Sequence, residues 1–385
     1  MDAETLPPHV VRTAPGQYEA TLPGGTLRMS MRQEELPLPE ICDFALRHNA
    51  RRRFLFVSRV LGRHMPTRPA AMQDVASRLA DKISIDPADG PVLFVGMAET
   101  ATTLAQTVYA AWCRRGGQGL YIESTRRPTG GPIAFEFVES HSHAMAHLVH
   151  LPSPEDDPEN LFTTARRVVV VDDEATTGRT ALGLVASYAA WRGIAPESLR
   201  RELAVLARWM TDAQSTESEF TAFHSLVEGS FEFVETGVFA EAPPAVPHPD
   251  RAGLARRGTR HGLSHPQPLP WQLDVSPGHR ILVIGTGEYG YQPLLLAADL
   301  EARGAIAWVQ ATTRSPVLPG GAIGHVRSFP ALSGERHTEF LYNVPEDHGY
   351  DRVLLCCEDV LPPLEHPIHH ISRLEVLPLP GTLTS

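Results

Sequence analysis

The chain reads as an α/β protein in two parts, each built on a parallel sheet. Three observations predict this. Val168–Val171 is an unbroken β-branched run, the pattern of a strand buried on both faces of a parallel sheet. Strand-length apolar runs alternate with helically spaced segments from about residue 91 to 206. A second alternation begins at Arg280, where Ile281–Gly285 runs through a glycine-bearing loop into an apolar helix. The length, 385 residues, also exceeds what one domain usually holds.

Taken in order, residues 1–40 are punctuated by Pro and Gly and predict an irregular N-terminal extension or a short hairpin. Arg51–Arg53 leads into apolar Phe54–Val57. Met72, Val75, Ala76, Leu79 and Ile83 carry helical spacing over 69–83. Pro91–Gly96 predicts a strand, Thr100–Trp112 a helix, and Leu120–Glu123 and Ile133–Val138 two strands. The 168–172 strand, a helix from Ala181 to about Trp191 and a strand over Glu202–Leu206 complete the first alternation. Ala242–Pro249 is Pro-rich, and Arg251, Arg256, Arg257, Arg260 and His261 make the following stretch basic. Beyond it, Ile281–Gly285, Ala305–Gln310, Glu339–Tyr342 and Val353–Cys357 predict strands and Tyr291–Arg303 a helix. The domains expected are 1–40 as an extension, 41–242, a Pro/Arg-rich linker over 243–275, and 276–385.

The composition excludes several classes. A net charge of −11 argues against general nucleic-acid binding through a basic face. No run of about 20 apolar residues predicts a membrane span, and Met1–Glu4 is acidic without the apolar core of a signal peptide. None of Cys42, Cys113, Cys356 and Cys357 forms a Cys-x-x-Cys pair, so buried thiols in a reducing cytoplasm are expected.

The most informative stretch is 168–180. Asp172 and Asp173 stand where the valine strand ends, and the loop Glu174, Ala175, Thr176, Thr177, Gly178, Arg179, Thr180 leads into a helix. A small-residue loop at a helix N-terminus directs amides and a favourable dipole at an anion. Adjacent carboxylates suit sugar hydroxyls or hydrated magnesium. Phosphoribosyl diphosphate has a phosphate at one end and a diol with metal at the other, so it fits both halves. The ATP-binding P-loop pattern is absent. All thirteen positions resemble the phosphoribosyl-diphosphate motif of type I phosphoribosyltransferases. That resemblance implies a type I phosphoribosyltransferase-like sheet domain over about 40–240, with magnesium as cofactor. Asp172 and Asp173 would then be the catalytic and metal-facing acids, and 174–180 would hold the 5-phosphate.

It implies more upstream. Gly96, Met97, Ala98, Glu99 and Thr100 occupy the place of a loop whose amides meet the diphosphate. Glu99 departs from that pattern, since a carboxylate there would repel the ligand. It reaches metal-bound water or caps the helix start; a plain cap by Thr100 is the simpler alternative. Residues 123–150 occupy the place of an active-site flap. Arg126 and Arg127 suit the charge of a departing diphosphate. His141, His143, His147 and His150 lack zinc spacing, so hydrogen bonding in the flap or plain surface exposure is expected. Arg51–Arg53 with Leu61-Gly62-Arg63-His64 and Arg68 is either part of a hood over the base or a solvated helix face.

In the second part, Gly285-Thr286-Gly287-Glu288-Tyr289-Gly290 matches Gly-x-Gly-x-x-Gly, but no acid ends the next strand, so a dinucleotide is disfavoured. Thr313, Arg314 and Ser315 with Pro316 spell the signature of the TRSP domain, which follows phosphoribosyltransferase-like domains in proteins linked to tellurite-resistance and stress operons. The resemblance implies a second, Rossmann-like α/β domain. Gly285, Gly287, Glu288, Thr313, Arg314 and Ser315 make an anion site plausible there; the alternative is a turn with Arg314 paired to an acid. The function implied is magnesium-dependent phosphoribosyl transfer from phosphoribosyl diphosphate to an unidentified nitrogen base, in synthesis of a nucleoside-like metabolite. The alternative is a non-catalytic regulator that binds phosphoribosyl diphosphate or a nucleotide. Type I relatives often pair as homodimers.

Overall fold

The computed structural model describes residues 8–47, 52–138, 146–209, 217–237, 254–256, 258–333 and 335–379. Its elements in chain order are β1 (Val10–Ala14), β2 (Gln17–Leu22), β3 (Gly25–Glu34), α1 (Leu38–Ile41), β4 (Cys42–Arg47), β5 (Phe54–Ser58), α2 (Pro69–Lys82), β6 (Val92–Gly96), α3 (Thr102–Arg114), β7 (Gly119–Glu123), β8 (Ile133–Phe137), β9 (His147–His150), α4 (Leu161–Thr164), β10 (Arg167–Ala175), α5 (Arg179–Arg192), β11 (Arg200–Trp209) and β12 (Ala222–Glu235). There follow β13 (Arg280–Gly285), α6 (Tyr291–Ala302), β14 (Ile306–Ala311), β15 (Val317–Leu318), β16 (Val326–Pro330), β17 (Thr338–Tyr342), β18 (Arg352–Cys357) and β19 (Leu374–Pro378). They form two compact units. One comprises Gln73–Glu228 and Leu254–Gln267; the other comprises Met1–Met72, Gly229–Gly253 and Pro268–Ser385.

In the first unit the strands run β7-β6-β10-β11, with the start of β12 beside β11. β10 is parallel to both β6 and β11, and β6 is parallel to β7. Val168–Val171 are fully buried because helices cover both faces. On one face Leu93, Val95, Val168 and Val170 meet Ala181, Leu184, Val185, Tyr188 and Ala189 of α5, an i, i+3, i+4, i+7, i+8 stripe. On the other, Phe94 packs on Tyr109 and Trp112 of α3. α3 is buried from Thr102 to Trp112. α5 ends at Gly193, whose left-handed conformation (φ 68°) lets its amide reach back to Ala189 and Ala190. At the opposite end of β10, Arg167 donates to both oxygens of buried Glu202, at 2.8 and 2.9 Å.

The second unit holds the parallel sheet β14-β13-β18-β19. One face is covered by α6, with Leu294, Ala297 and Leu300 on Ile281, Val283 and Val309. The other face carries Phe329 and Leu341 of the β16–β17 hairpin and Ile368 of the 3-10 turn Pro367–His370. A doubly wound Rossmann arrangement has helices on both faces; among the described residues only one face has a helix, and the remaining sheets are small. The same unit contains the antiparallel sheet β15-β4-β5 and the meander β1-β2-β3 beside the end of β12.

Two expectations change. Of the irregular structure or short hairpin suggested over 1–40, the described part takes the hairpin form, extended to three strands turned at Pro15-Gly16 and Pro23-Gly24. Those Pro-Gly pairs are hairpin turns, and Gly16 sits at φ 67°. The stretch expected as linker over 243–275 also includes packed residues: Arg260 and His261 are buried in the first unit. Ala242–Pro249, Arg251 and Arg257 lie outside the described residues.

Candidate active site

The parallel register places the site. Gly96 of β6 is level with Val171 of β10 and Glu123 of β7. The loop after β6, the acids ending β10 and the segment after β7 therefore share one carboxyl edge, where open α/β sheets bind ligands. Asp172, Asp173 and Glu174 are half-buried in the last turns of β10. Asp172 Oδ1 accepts the Asp173 amide at 2.9 Å. Burial, and then the neighbouring Asp173 carboxylate, push the Asp172 carboxyl well above the usual carboxylate range. Ionising both carboxylates is therefore costly here, and a cation or a row of hydroxyl donors would relieve that cost.

Thr176–Gly178 links β10 to α5. Gly178 takes φ 74° and has no side chain to cap the helix; the Thr177 hydroxyl accepts the Arg179 amide at a long 3.4 Å. A Cβ at that backbone conformation costs of order 1–2 kcal/mol. The loop is therefore shaped to present amides at the start of α5, as an anion cradle requires. Ala175 is level with Arg208 of β11, a buried cation 3.4 Å from Glu228 and stacked over Phe223.

The loop after β6 is held from beneath. The Met97 amide donates to Val171 O at 3.0 Å, the Ala98 amide to Ser124 Oγ at 3.0 Å, and the Ser124 amide to Gly96 O at 2.9 Å. The Ala98–Glu99 peptide bond is cis. A Cβ on Gly96 would lie 2.6 Å from the Tyr121 hydroxyl and 2.9 Å from Ala105 Cβ, so only glycine fits. Thr100 does not cap α3: the helix starts two residues later without a capping side chain. The Glu99 carbonyl accepts from Thr102 Oγ1 at 3.3 Å.

The segment after β7 forms the β8–β9 hairpin, with Phe137 opposite His147. Its tip, including His141 and His143, lies outside the described residues. His147 and His150 belong to the interior instead of a flap surface. His147 stacks on Phe137 and lies 3.2 Å from Ser124 Oγ and 3.1 Å from Arg126 Nη2. His150 stacks on His261, which shares a 2.6 Å hydrogen bond with Thr129 Oγ1. Arg126 is half-buried and Arg127 buried. The sequence reading missed Ser124 and Arg208. Ser124 could have been found from its place one residue beyond a buried strand; Arg208 required knowing that β11 runs on to Trp209.

Among the described residues no group of three or more His, Cys, Asp or Glu side chains forms a metal cage. Magnesium does not need one: it binds through one or two carboxylates together with substrate phosphates and water. Asp172 and Asp173, adjacent hard oxygen donors, fit that ion.

The second unit departs from its expected anion site. The Gly287 amide is taken by Thr312 Oγ1 at 2.8 Å, and that hydroxyl donates to buried Glu339 at 2.7 Å. Arg314 pairs with Glu335 at 2.9 Å, and the Ser315 amide folds back on Thr313 Oγ1. A Cβ on Gly285 would lie 2.1 Å from Tyr289 O, so this glycine serves close packing. Glu288 is itself buried. The groups offered to an anion hold one another. Arg63 and His64 are not a solvated face: both are buried, and Arg63 donates to Gly287 O and Thr312 O. Arg52 lies over the Phe54 and Phe56 rings, Arg53 pairs with Glu235, and Arg51 lies outside the described residues.

Residues 41–234 match the family described as phosphoribosyl transferase, PRTase_2. The chain belongs to that family. Residues 257–366 match the TRSP domain that lies C-terminal to it, so the fusion read from the sequence is present. By family this PRTase_2 member is a phosphoribosyltransferase. No curated protein matches it. Among solved structures it is similar to adenine phosphoribosyl transferase from Trypanosoma brucei in complex with AMP, pyrophosphate and ribose-5-phosphate. That match has 16% identity and a TM-score of 0.28, and covers 41% of this chain and 64% of that one. Hypoxanthine phosphoribosyltransferase from Trypanosoma cruzi in complex with IMP is 14% identical, with a TM-score of 0.27 and coverage of 44% and 81%. Likeness at that level fixes no ligand. No helix among the described residues is long and apolar enough to cross a membrane.

Proposed function

We propose that this PRTase_2 member transfers the phosphoribosyl group of phosphoribosyl diphosphate to a nitrogen base, with magnesium. The observation that carries this is the shared carboxyl edge. Register sets the Gly96–Thr100 loop beside the acids of β10, and β10 leads through Thr176–Gly178 into the start of α5. The 5-phosphate takes the amides of Ala175–Thr180. Asp172 and Asp173 accept hydrogen bonds from the ribose 2- and 3-hydroxyls or from metal-bound water. The loop Gly96–Thr100 meets the diphosphate, and Arg126 and Arg127 supply positive charge as it departs. The bond from C1 to the diphosphate oxygen breaks, the pair leaves with diphosphate, and the base nitrogen bonds to the cationic C1. Held by Asp172 and Asp173, magnesium would neutralise charge growing on the leaving group. That the product is a nucleoside-like metabolite of a stress response rests on the resemblance of the two-domain architecture alone.

The test is diphosphate release from phosphoribosyl diphosphate and magnesium across a panel of purine, pyrimidine and simpler nitrogen bases. Release that depends on one base supports transfer. Tight binding with no release for any base would overturn transfer in favour of the regulator.

A further inference from the structure

A cleft of about 190 Å³ opens in the second unit between β16 and the Pro367–His370 turn. Arg327 lines it. Its guanidinium is half-buried and makes one hydrogen bond, from Nε to Val344 O at 2.8 Å. Nη2 is buried with no hydrogen-bond partner, and no carboxylate lies within ion-pairing distance among the described residues. Burial pulls this guanidinium below its ordinary value, against the milder influence of Glu346. A half-buried guanidinium whose Nη2 has no partner, and on which Glu346 acts without an ion pair, is stabilised by a further counter-charge. The remaining lining includes no acid: the Ser328 hydroxyl and His370 are polar donors, and Phe329 and Ile368 form an apolar wall.

Size limits the occupant. Sites for drug-sized ligands occupy roughly 300–1,000 Å³, whereas a cavity of about 150 Å³ accommodates benzene. A whole nucleotide is too large; one ring with an anionic head fits. We propose that this cleft binds a small organic anion, a carboxylate or phosphate monoester on a body of about one ring. The head is held by Arg327, with Ser328 and His370 at its rim, and the body lies on Phe329 and Ile368. The cleft's residues all lie in the second unit, whereas the phosphoribosyl edge is built from the first.

The experiment is calorimetric titration of the full chain with benzoate, phenyl phosphate and, as a neutral control, benzamide. We expect saturable binding of at least one anion and none of benzamide; the two anion arms show which head group is preferred. Arg327→Gln should weaken anion binding at least tenfold and leave phosphoribosyl diphosphate binding unchanged. Ser328→Phe retains the cation but fills the cleft from an exposed strand position, and should abolish binding even if the Arg327 variant folds poorly. The inference is overturned if neither anion binds at millimolar concentration, if benzamide binds equally, or if folded variants bind as the wild type does.

Discussion

Gly96→Ala tests how tightly the loop after β6 is built. The added carbon would stand 2.6 Å from the Tyr121 hydroxyl and 2.9 Å from Ala105 Cβ, both inside van der Waals contact. Neither neighbour is free to yield. Tyr121 lies on β7, and its hydroxyl donates to Thr102 O at 3.2 Å; Ala105 lies inside the buried helix α3. Overpacking of this kind costs about 1–3 kcal/mol. For a body of 150–250 residues each kcal/mol lowers Tm by roughly 2–4 °C. Tyr121→Phe alone should cost about 1–3 kcal/mol, because the hydroxyl reaches both Thr102 O and the buried Glu123 Oε2, at 3.3 Å. It also removes the atom in the tighter clash, so the double variant should be more stable than the sum of the single losses by about 1 kcal/mol. The assay is thermal unfolding of all four proteins by circular dichroism, with calorimetry of phosphoribosyl diphosphate binding beside it. Binding should weaken in Gly96→Ala and recover in part in the double variant. Strict additivity, or a Gly96→Ala variant as stable as the wild type, would refute the close approach that is argued to shape this loop.

Three further outcomes are expected. Glu202→Gln removes a buried carboxylate that His224 and Arg167 hold at about 2, well below its ordinary 4.5, although burial itself pushes it upward. That depression contributes roughly 3 kcal/mol above pH 4.5, and the contribution is lost as pH falls towards 2; unfolding midpoints from pH 7 to 2 should show the gap between wild type and variant closing only in that acid window. Gly178→Ala should destabilise by about 1–2 kcal/mol through its positive φ and lower the affinity for ribose-5-phosphate, read by urea unfolding and calorimetry. The fragment 276–385 should fail to unfold cooperatively by circular dichroism. β15 pairs with β4, and Thr67 bridges Val309, so the C-terminal sheet depends on residues before 72; a sharp transition in the isolated fragment would contradict this.

What the sequence made legible was whatever depends on local pattern. The valine strand, the acid pair, the small-residue loop and the α5 stripe each announce themselves, because a central parallel strand must be apolar throughout and its covering helix apolar on one face. The β-strand Ala222–Glu235 went unread, because a 14-residue strand that is buried only in its middle gives no clean period. Pairing decided the rest. Nothing local says that Arg63 will satisfy two carbonyls more than 200 residues away, or that Thr312 will occupy the Gly287 amide. The glycine loop and the Thr-Arg-Ser-Pro signature therefore looked like an anion site, and the partners that occupy it are distant in sequence. His147 and His150 misled in the same way, since the stacking that buries them comes from Phe137 and His261.

The central claim is that the carboxyl edge around Asp172 and Asp173 holds phosphoribosyl diphosphate. Calorimetric titration of that ligand, with and without magnesium, into the wild type and into a variant carrying Asp172→Asn and Asp173→Asn tests it most directly. Magnesium-dependent binding to the wild type is expected, with at least a tenfold loss in a variant whose circular dichroism and Tm remain close to wild type. Binding that is indifferent to both carboxylates, or no binding to the folded wild type, would contradict it.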